Sequence, residues 1–418
     1  MSPAKRLPNK RVAKPATRRI ASKRKPAKAG FDKHVVLNGL FLTRPYTGMG
    51  QYTLGLMAAL PSALPKATLS VIVPRAIDRK LPTRWQVRVE EPGRGRLGRL
   101  GGEGLALDAW ERGLTHVANE LGADVYHTPY PTPAPAATLP TVMTVHDMIP
   151  FQLPYYRRSL RSRAKQRRIL EGIRTCDALV TVSETSAAAI AATAGVPIER
   201  IQVAYEGLGP DFVTTPSAAS VTTAKRQHGL DRPYVLYIGG FDYRKNVRRL
   251  IAGFGESGLA ETYDLLIAGA TDVPTGALYD DFHRLAQLIA QAGIGNSVRL
   301  IGQVSGAEKS ALMKGAAAVC YPSLAEGFGL PILEALALGT PVAASRLEVT
   351  RELFTGAVEF FDPYNVDDLA ITLRETIGRT AAPMRKRGRA IVREFAWSDT
   401  AARTAEVYRA VTGGRLIS

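Results

Sequence analysis

From about Phe31 the chain alternates short β-rich runs with stretches of helical period, and it does so almost to its end. Neighbouring parallel strands need a long crossover, normally a helix, so this alternation restricts the chain to parallel α/β sheets. The first series of strands is expected at 34–39, 69–74, 85–90, 124–129, 141–147, 178–183 and 201–207, with helices at 108–121, 157–174 and 184–194 between some of them. A second series is expected at 234–240, 264–269, 298–304, 318–323, 341–345 and 358–363. Between the two lies 208–233, with three prolines, many small polar residues and little periodicity, which reads as an interdomain segment. The expected organisation is a basic, disordered arm at 1–30, an N-terminal α/β domain at 31–207, the segment 208–233, a second α/β domain at 234–395 and a closing helix at 396–418. That helix is expected to pack back toward the first domain. At 418 residues the chain has room for two such domains facing each other across a cleft.

Charge is uneven along the chain. The formal net charge is +18, and residues 1–30 hold eleven of the 55 Lys and Arg with no acid, from Lys5 to Lys28. The arm is poor in apolar residues and rich in Lys, Pro and Ala, a composition that does not build a core. No run of 18 apolar residues exists, and no apolar segment follows the basic start, so neither a membrane span nor a secretory signal is expected. Cys176 and Cys320 stand far apart in apolar surroundings, as buried thiols in a reducing compartment would. These features point to a cytoplasmic protein.

Open α/β sheets bind ligands at the carboxyl ends of their strands. The strand YVLYIGG is followed by FDYRKN, which places Arg244 and Lys245 beside a helix start that Asn246 is expected to cap. Such a pair is either a solvated surface feature or a seat for a diphosphate. Ser305 with Glu308 has the form of a capping box, and Pro331 and Gly339 bracket a helix at about 331–338. Ahead of that helix stand Glu326 and Gly327-Phe328-Gly329, where two glycines let backbone approach a ligand and a helix N-terminus favours anions. Glu334 is expected in the first helical turn, either complementing the helix dipole or accepting hydrogen bonds from paired sugar hydroxyls.

The string EGFGLPILE, with glutamates separated by seven residues, resembles the signature of glycosyltransferase family 4, retaining enzymes of the GT-B fold. TGMGQY (47–52), TVHDMIPF (144–151), TVSETS (181–186), YIGGFDYRKNVRRLIAGF (237–254) and FAWSDTAARTAEVYRAV (395–411) extend the resemblance over 34–411 in the family's order. It implies two facing Rossmann-like domains. It implies that Arg244 and Lys245 hold the diphosphate of a nucleotide sugar and that Glu326 contacts the transferred sugar. The backbone of Gly327, Phe328, Gly329 and Leu330 would help seat sugar and phosphates, and Glu334 would bind the ribose. His146 would face the transferred sugar and acceptor, while Gly48 and Gly50 would bring backbone N–H groups to the diphosphate from the other domain. The family often has Asn-Gly where this chain has Glu206-Gly207.

A departing nucleoside diphosphate gathers negative charge, which cations, dipoles or a metal must stabilise. No Asp-x-Asp occurs in the chain, so no metal or other cofactor is expected and the two cations would serve instead. The combination TVHDMIPF, RKN and EGFGLPILEA is most similar to bacterial mannosyltransferases that use GDP-mannose in polysaccharide assembly. The implied acceptor is a glycan or a polyprenyl-diphosphate-linked saccharide. Glucosyl or rhamnosyl transfer, a nucleotide-sugar epimerase or hydrolase of the same fold, and a non-catalytic sugar-nucleotide binder are the competing readings. Residues 157–168, with seven cations in twelve positions, are expected to form a helix burying Leu160, Ala164, Leu170 and Ile173. Its arginines would form either a solvated face or, with the arm, a contact for the anionic inner face of a membrane. Nucleic acid is a weaker partner, because no aromatic residues interleave with the arm's cations.

Overall fold

A computed structural model describes residues 30–77, 81–92, 103–133, 139–157, 159–269, 282–378 and 382–413. The basic arm of residues 1–29 lies outside the described residues. Thirteen strands are described in two sheets, and every strand pairing is parallel. The first sheet contains β1 (His34–Asn38), β2 (Thr68–Val73), β3 (Trp85–Val89), β4 (Val125–Thr128), β5 (Thr141–Thr144), β6 (Ala178–Thr181) and β7 (Ile201–Val203). Its spatial order is β3-β2-β1-β4-β5-β6-β7. The second contains β8 (Tyr234–Ile238), β9 (Asp264–Ala268), β10 (Val298–Leu300), β11 (Ala318–Tyr321), β12 (Val342–Ser345) and β13 (Glu359–Phe361), ordered β10-β9-β8-β11-β12-β13. Both are Rossmann-like, and in each the strand order reverses once, between β1 and β4 and between β8 and β11. Such a reversal opens a crevice where ligands bind.

Aliphatic runs buried on both faces explain the central strands. Val35, Val36 and Leu37 of β1 and all five residues of β8 are buried, as sheets covered by helices on both sides require. Every expected strand is present, but several end earlier than the sequence suggests. In the run 298–304 the strand ends at Leu300, shortly before Gly302 takes φ 71°. In the run 201–207 the strand ends at Val203.

Two helical regions depart from the sequence reading. Residues 208–233 are not without structure: α5 (Ala218–Gln227) is capped by Ser217 and packs against α8 (Gly306–Gly315). It buries only Ala224, which is why no apolar period shows in the sequence. The basic helix α3 (Leu160–Thr175) is present with a Ser159–Ser162 capping box, and Ile173 is buried and Leu170 half-buried. Leu160, however, is 83% exposed and Ala164 is exposed, because the first half of the helix extends beyond the core it joins. Among the described residues no helix is long and apolar enough to cross a membrane.

The remaining longer helices are α1 (Gly48–Ala63), α2 (Glu103–Glu120), α4 (Glu184–Ala194), α6 (Val247–Glu256), α7 (Phe282–Gln291), α9 (Leu330–Leu338), α10 (Glu348–Phe354), α11 (Val366–Gly378), α12 (Ala382–Val392) and α13 (Trp397–Thr412). The last packs on α1, the first helix of the N-terminal sheet. Cys176 and Cys320 are buried free thiols. Burial pushes the Cys176 thiol up to about 12 and raises Cys320 as well, so both stay protonated.

Candidate active site

Two loops flank the strand reversal of the second sheet. The loop after β8 carries Arg244 and Lys245 in a turn of 3-10 helix, and the loop after β11 carries Glu326. Lys245 Nζ donates to Glu326 Oε1 at 2.7 Å and to the Tyr321 hydroxyl at 2.9 Å. Arg244 Nη1 lies 3.0 Å from Glu326 Oε2, and its Nε lies 3.3 Å from Asp242 Oδ1. Burial raises the pKa of the Glu326 carboxyl, but Lys245 and Arg244 outweigh it and hold the group down at about 2. For Lys245, burial and the adjacent guanidinium dominate and leave the ammonium below its ordinary value.

Asn246 links these loops differently from the expected cap. It stands at the N-terminus of α6 in the left-handed region, φ 56°, and makes no side-chain cap. Its Nδ2 instead donates to the Pro322 and Pro363 carbonyls, each at 2.9 Å, while its Oδ1 accepts from Arg249 at 2.8 Å. An amide that bonds across two neighbouring loops compensates the cost of a positive φ.

The segment after Glu326 meets the N-terminal half. Gly327 has no room for a side chain, because a Cβ there would fall 2.5 Å from the His146 carbonyl oxygen. The Gly327 carbonyl accepts from Ser183 Oγ at 2.8 Å and Ser186 Oγ at 3.3 Å, and Ser186 Oγ also reaches the His146 carbonyl at 2.8 Å. Phe328 is a core residue, packed on Tyr205, Phe354 and Phe395, so its side chain anchors the loop. Gly329 takes φ 107°, a conformation that disfavours any residue with a Cβ, and directs the chain into α9 at Leu330.

Helix α9 starts one residue before Pro331 and ends at Gly339 in the left-handed region, close to the expected span. Glu334 is therefore its fifth residue, one place beyond the first turn, which weakens the helix-dipole reading. Its buried carboxylate pairs with Lys309 Nζ at 2.5 Å. Burial is the larger influence on it and leaves its pKa above the ordinary carboxylate value despite Lys309.

On the N-terminal side, His146 follows β5. Its Nδ1 lies 3.3 Å from Glu206 Oε1, and its Nε2 lies 2.9 Å from the Pro129 carbonyl. The Tyr52 ring of α1 meets the imidazole edge-on at 4.7 Å between centroids. Gly48 and Gly50 open α1 behind the Thr47 cap. Gly50 is packed against Arg44 and Pro45, and Gly48 faces open space. Tyr156 Oη bonds Asp242 Oδ1 at 3.0 Å across the two halves, and Tyr155 stacks on Tyr243 at 4.6 Å.

The structure thus brings Arg244, Lys245 and Glu326 into one ionic cluster and sets His146 against Gly327. Glu334 has its own partner one turn further along α9, and Gly48 and Gly50 belong to the N-terminal crevice. Sequence reasoning missed Asp242, Tyr321, Lys309 and the role of Glu206. Only Glu206 left a trace, as the departure from Asn-Gly.

Comparison with known proteins bears on the family and the fold. Residues 46–212 match the family model for Glycosyltransferase Family 4, and residues 220–390 match that for Glycosyl transferases group 1. The chain is 26% identical over 379 residues to O-antigen chain mannosyltransferase B of Escherichia coli, covering 87% of this chain and 96% of that protein. It is 30% identical over 224 residues to O-antigen chain mannosyltransferase RfbU of Salmonella typhimurium, covering 53% and 56% of the two chains. The solved structure of Anabaena Alr3699/HepE in complex with UDP-glucose superposes with a TM-score of 0.70 at 18% identity, covering 90% of this chain and all of that one. With both sheets in the GT-B arrangement and the two family models meeting near its middle, the chain belongs to glycosyltransferase family 4.

Proposed function

We propose that this glycosyltransferase moves a hexose, mannose from GDP-mannose, to a glycan or polyprenyl-diphosphate-linked saccharide with retention at the anomeric carbon. The observation that carries the reading is the Arg244–Lys245–Glu326 cluster at the strand reversal, set beside His146 of the other half. An ammonium has three N–H donors; Glu326 and Tyr321 engage two, which leaves one for a phosphate oxygen. In the reaction the bond from anomeric carbon to phosphate oxygen breaks, and the acceptor hydroxyl bonds to that carbon on the same face. The hydroxyl proton passes to the departing phosphate oxygen. Arg244 and Lys245 carry the diphosphate charge, with no metal required. Mannose is favoured by the two O-antigen mannosyltransferases that the chain resembles.

The protein is proposed to work at the cytoplasmic face of a membrane, where a lipid-linked acceptor resides. The first half of α3, with exposed Arg163, Lys165 and Arg167 around Leu160, offers a contact for anionic lipid.

Calorimetry with GDP-mannose, UDP-glucose and dTDP-rhamnose tests the donor. GDP-mannose is expected to bind tightest, and Arg244→Ala with Lys245→Ala is expected to abolish binding. Binding of no nucleotide sugar, or binding indifferent to the double substitution, would overturn the reading. Free mannose or an epimer formed without acceptor would instead favour the hydrolase or epimerase.

A further inference from the structure

His146 is one of the residues at which the two halves touch, and its ring is held at both nitrogens. The partner of Nε2 is the Pro129 carbonyl, which has no proton to give, so Nε2 carries hydrogen. The partner of Nδ1 is the buried Glu206 carboxylate, which also accepts. A neutral imidazole has one N–H and satisfies one of these acceptors; an imidazolium satisfies both. The ring and the carboxylate are 13% and 5% exposed, so water does little to compensate an unmet acceptor here.

We infer that Glu206 is a positioning residue that keeps His146 as an imidazolium and thereby fixes the segment on which Gly327 and the sugar-binding loop rest. The inference deepens the proposed function, since it rests on His146 lying at the transferred sugar. An Asn here, as the family often has, offers a neutral hydrogen bond; Glu206 makes the same contact an ion pair. With both nitrogens tied, the ring cannot swing, and the adjoining His146 carbonyl stays aligned with Ser186 Oγ and against Gly327.

The charged and titratable groups around the ring agree. Asp147 neighbours it on its own segment, Glu206 comes from the loop after β7 and Tyr52 from α1. His127 of β4 is kept neutral: burial, and then the charge of His146, push it down to about 3. From the other half, Arg244 and Glu326 act on Asp147, and Gly327 presents only backbone. Burial draws the His146 pKa down, but Glu206, the Pro129 carbonyl and Asp147 together bring it above the ordinary histidine value.

The test is nitrogen-detected NMR of the full chain with labelled histidine, six residues in all, with His146 assigned by His146→Asn. Wild-type His146 is expected to be doubly protonated at pH 7. In Glu206→Gln, which keeps the shape but not the charge, it is expected to titrate roughly tenfold more weakly, and Glu206→Asp is expected to restore part of the difference. In a transfer assay the alkaline limb of kcat should move to lower pH in Glu206→Gln, with a smaller change in donor KM. A singly protonated wild-type ring at pH 7, or an identical titration in both proteins, would overturn the inference, and the wild-type reading stands even where Glu206→Gln fails to fold. A wild-type chain that transfers no sugar refutes the proposed function instead, while the ring titration still decides the role of Glu206.

Discussion

Glu326 accepts from Lys245 with one oxygen and pairs with Arg244 through the other, and its side chain is 8% exposed. Removing one member of a buried ionic cluster leaves its partners without compensation, which costs more than the cluster contributes. Glu326→Gln should therefore destabilise the protein by roughly 3 kcal/mol at pH 7, read as a lower urea midpoint. The pH dependence has a definite sign. The folded pKa of Glu326 is depressed from 4.5 to about 2, so its stabilisation is complete above 4.5 and is lost as pH falls toward 2. The difference between the two proteins should shrink through that window; a constant gap would mean that Glu326 is not ionised against its cations. This cluster was legible in the sequence because Arg244 and Lys245 are adjacent and Glu326 opens a motif. Its other members were not. Tyr321 and Asp242 lie beside the motif residues, yet only the folded loops show that their oxygens face Lys245 and Arg244. Likewise nothing local connects Lys309 to Glu334.

Among secondary-structure elements, α10 and α4 show how the halves are joined. Glu352 of α10 reaches into the other half and accepts the Glu184 and Thr185 backbone N–H groups at 2.9 and 2.8 Å, with Thr185 Oγ1 at 2.6 Å. These are orphan donors at the start of α4, so a carboxylate from the second sheet's half caps a helix of the first. Losing such a cap costs about 1 kcal/mol. Glu352→Ala should accelerate hydrogen exchange at the Glu184 and Thr185 amides roughly fivefold while sparing β8 and β11. Unchanged exchange would mean that the contact does not persist in solution. The α4 start itself was readable, since Ser183 and Ser186 stand in TVSETS with capping spacing, but a cap arriving from residue 352 was not. Strands were the most legible elements because sheets buried on both faces need unbroken aliphatic runs. Helices with little buried surface were least legible: α5 buries one alanine, and the first half of α3 keeps even Leu160 in solvent.

Across the whole molecule, the last helix completes the first sheet's half. The Trp397 indole lies so close to Gly55 of α1 that no Cβ fits there, and its Nε1 donates to the Leu208 carbonyl at 3.0 Å. Thr400 Oγ1 donates to the Tyr205 carbonyl at 2.5 Å, and Tyr408 Oη lies 2.6 Å from His127 Nδ1 inside the core. Buried Ala401, Ala405, Val407 and Tyr408 of α13 share a core with Tyr52, Leu56 and Leu60 of α1. The chain thus crosses from the second half back to the first, and Tyr52, which supports His146, lies under that crossing. Gly55→Val should force the tryptophan off its seat, an overpacking that costs about 1–3 kcal/mol. Because Tyr52 also meets Trp397, at 5.8 Å between rings, the displacement should reach the His146 ring. The expected result is a lower urea midpoint together with a shifted His146 imidazole signal, whereas an exposed position on the same helix such as Ala58→Val should alter neither. Loss of stability with an unmoved imidazole would show that the closing helix supports the fold but not the site.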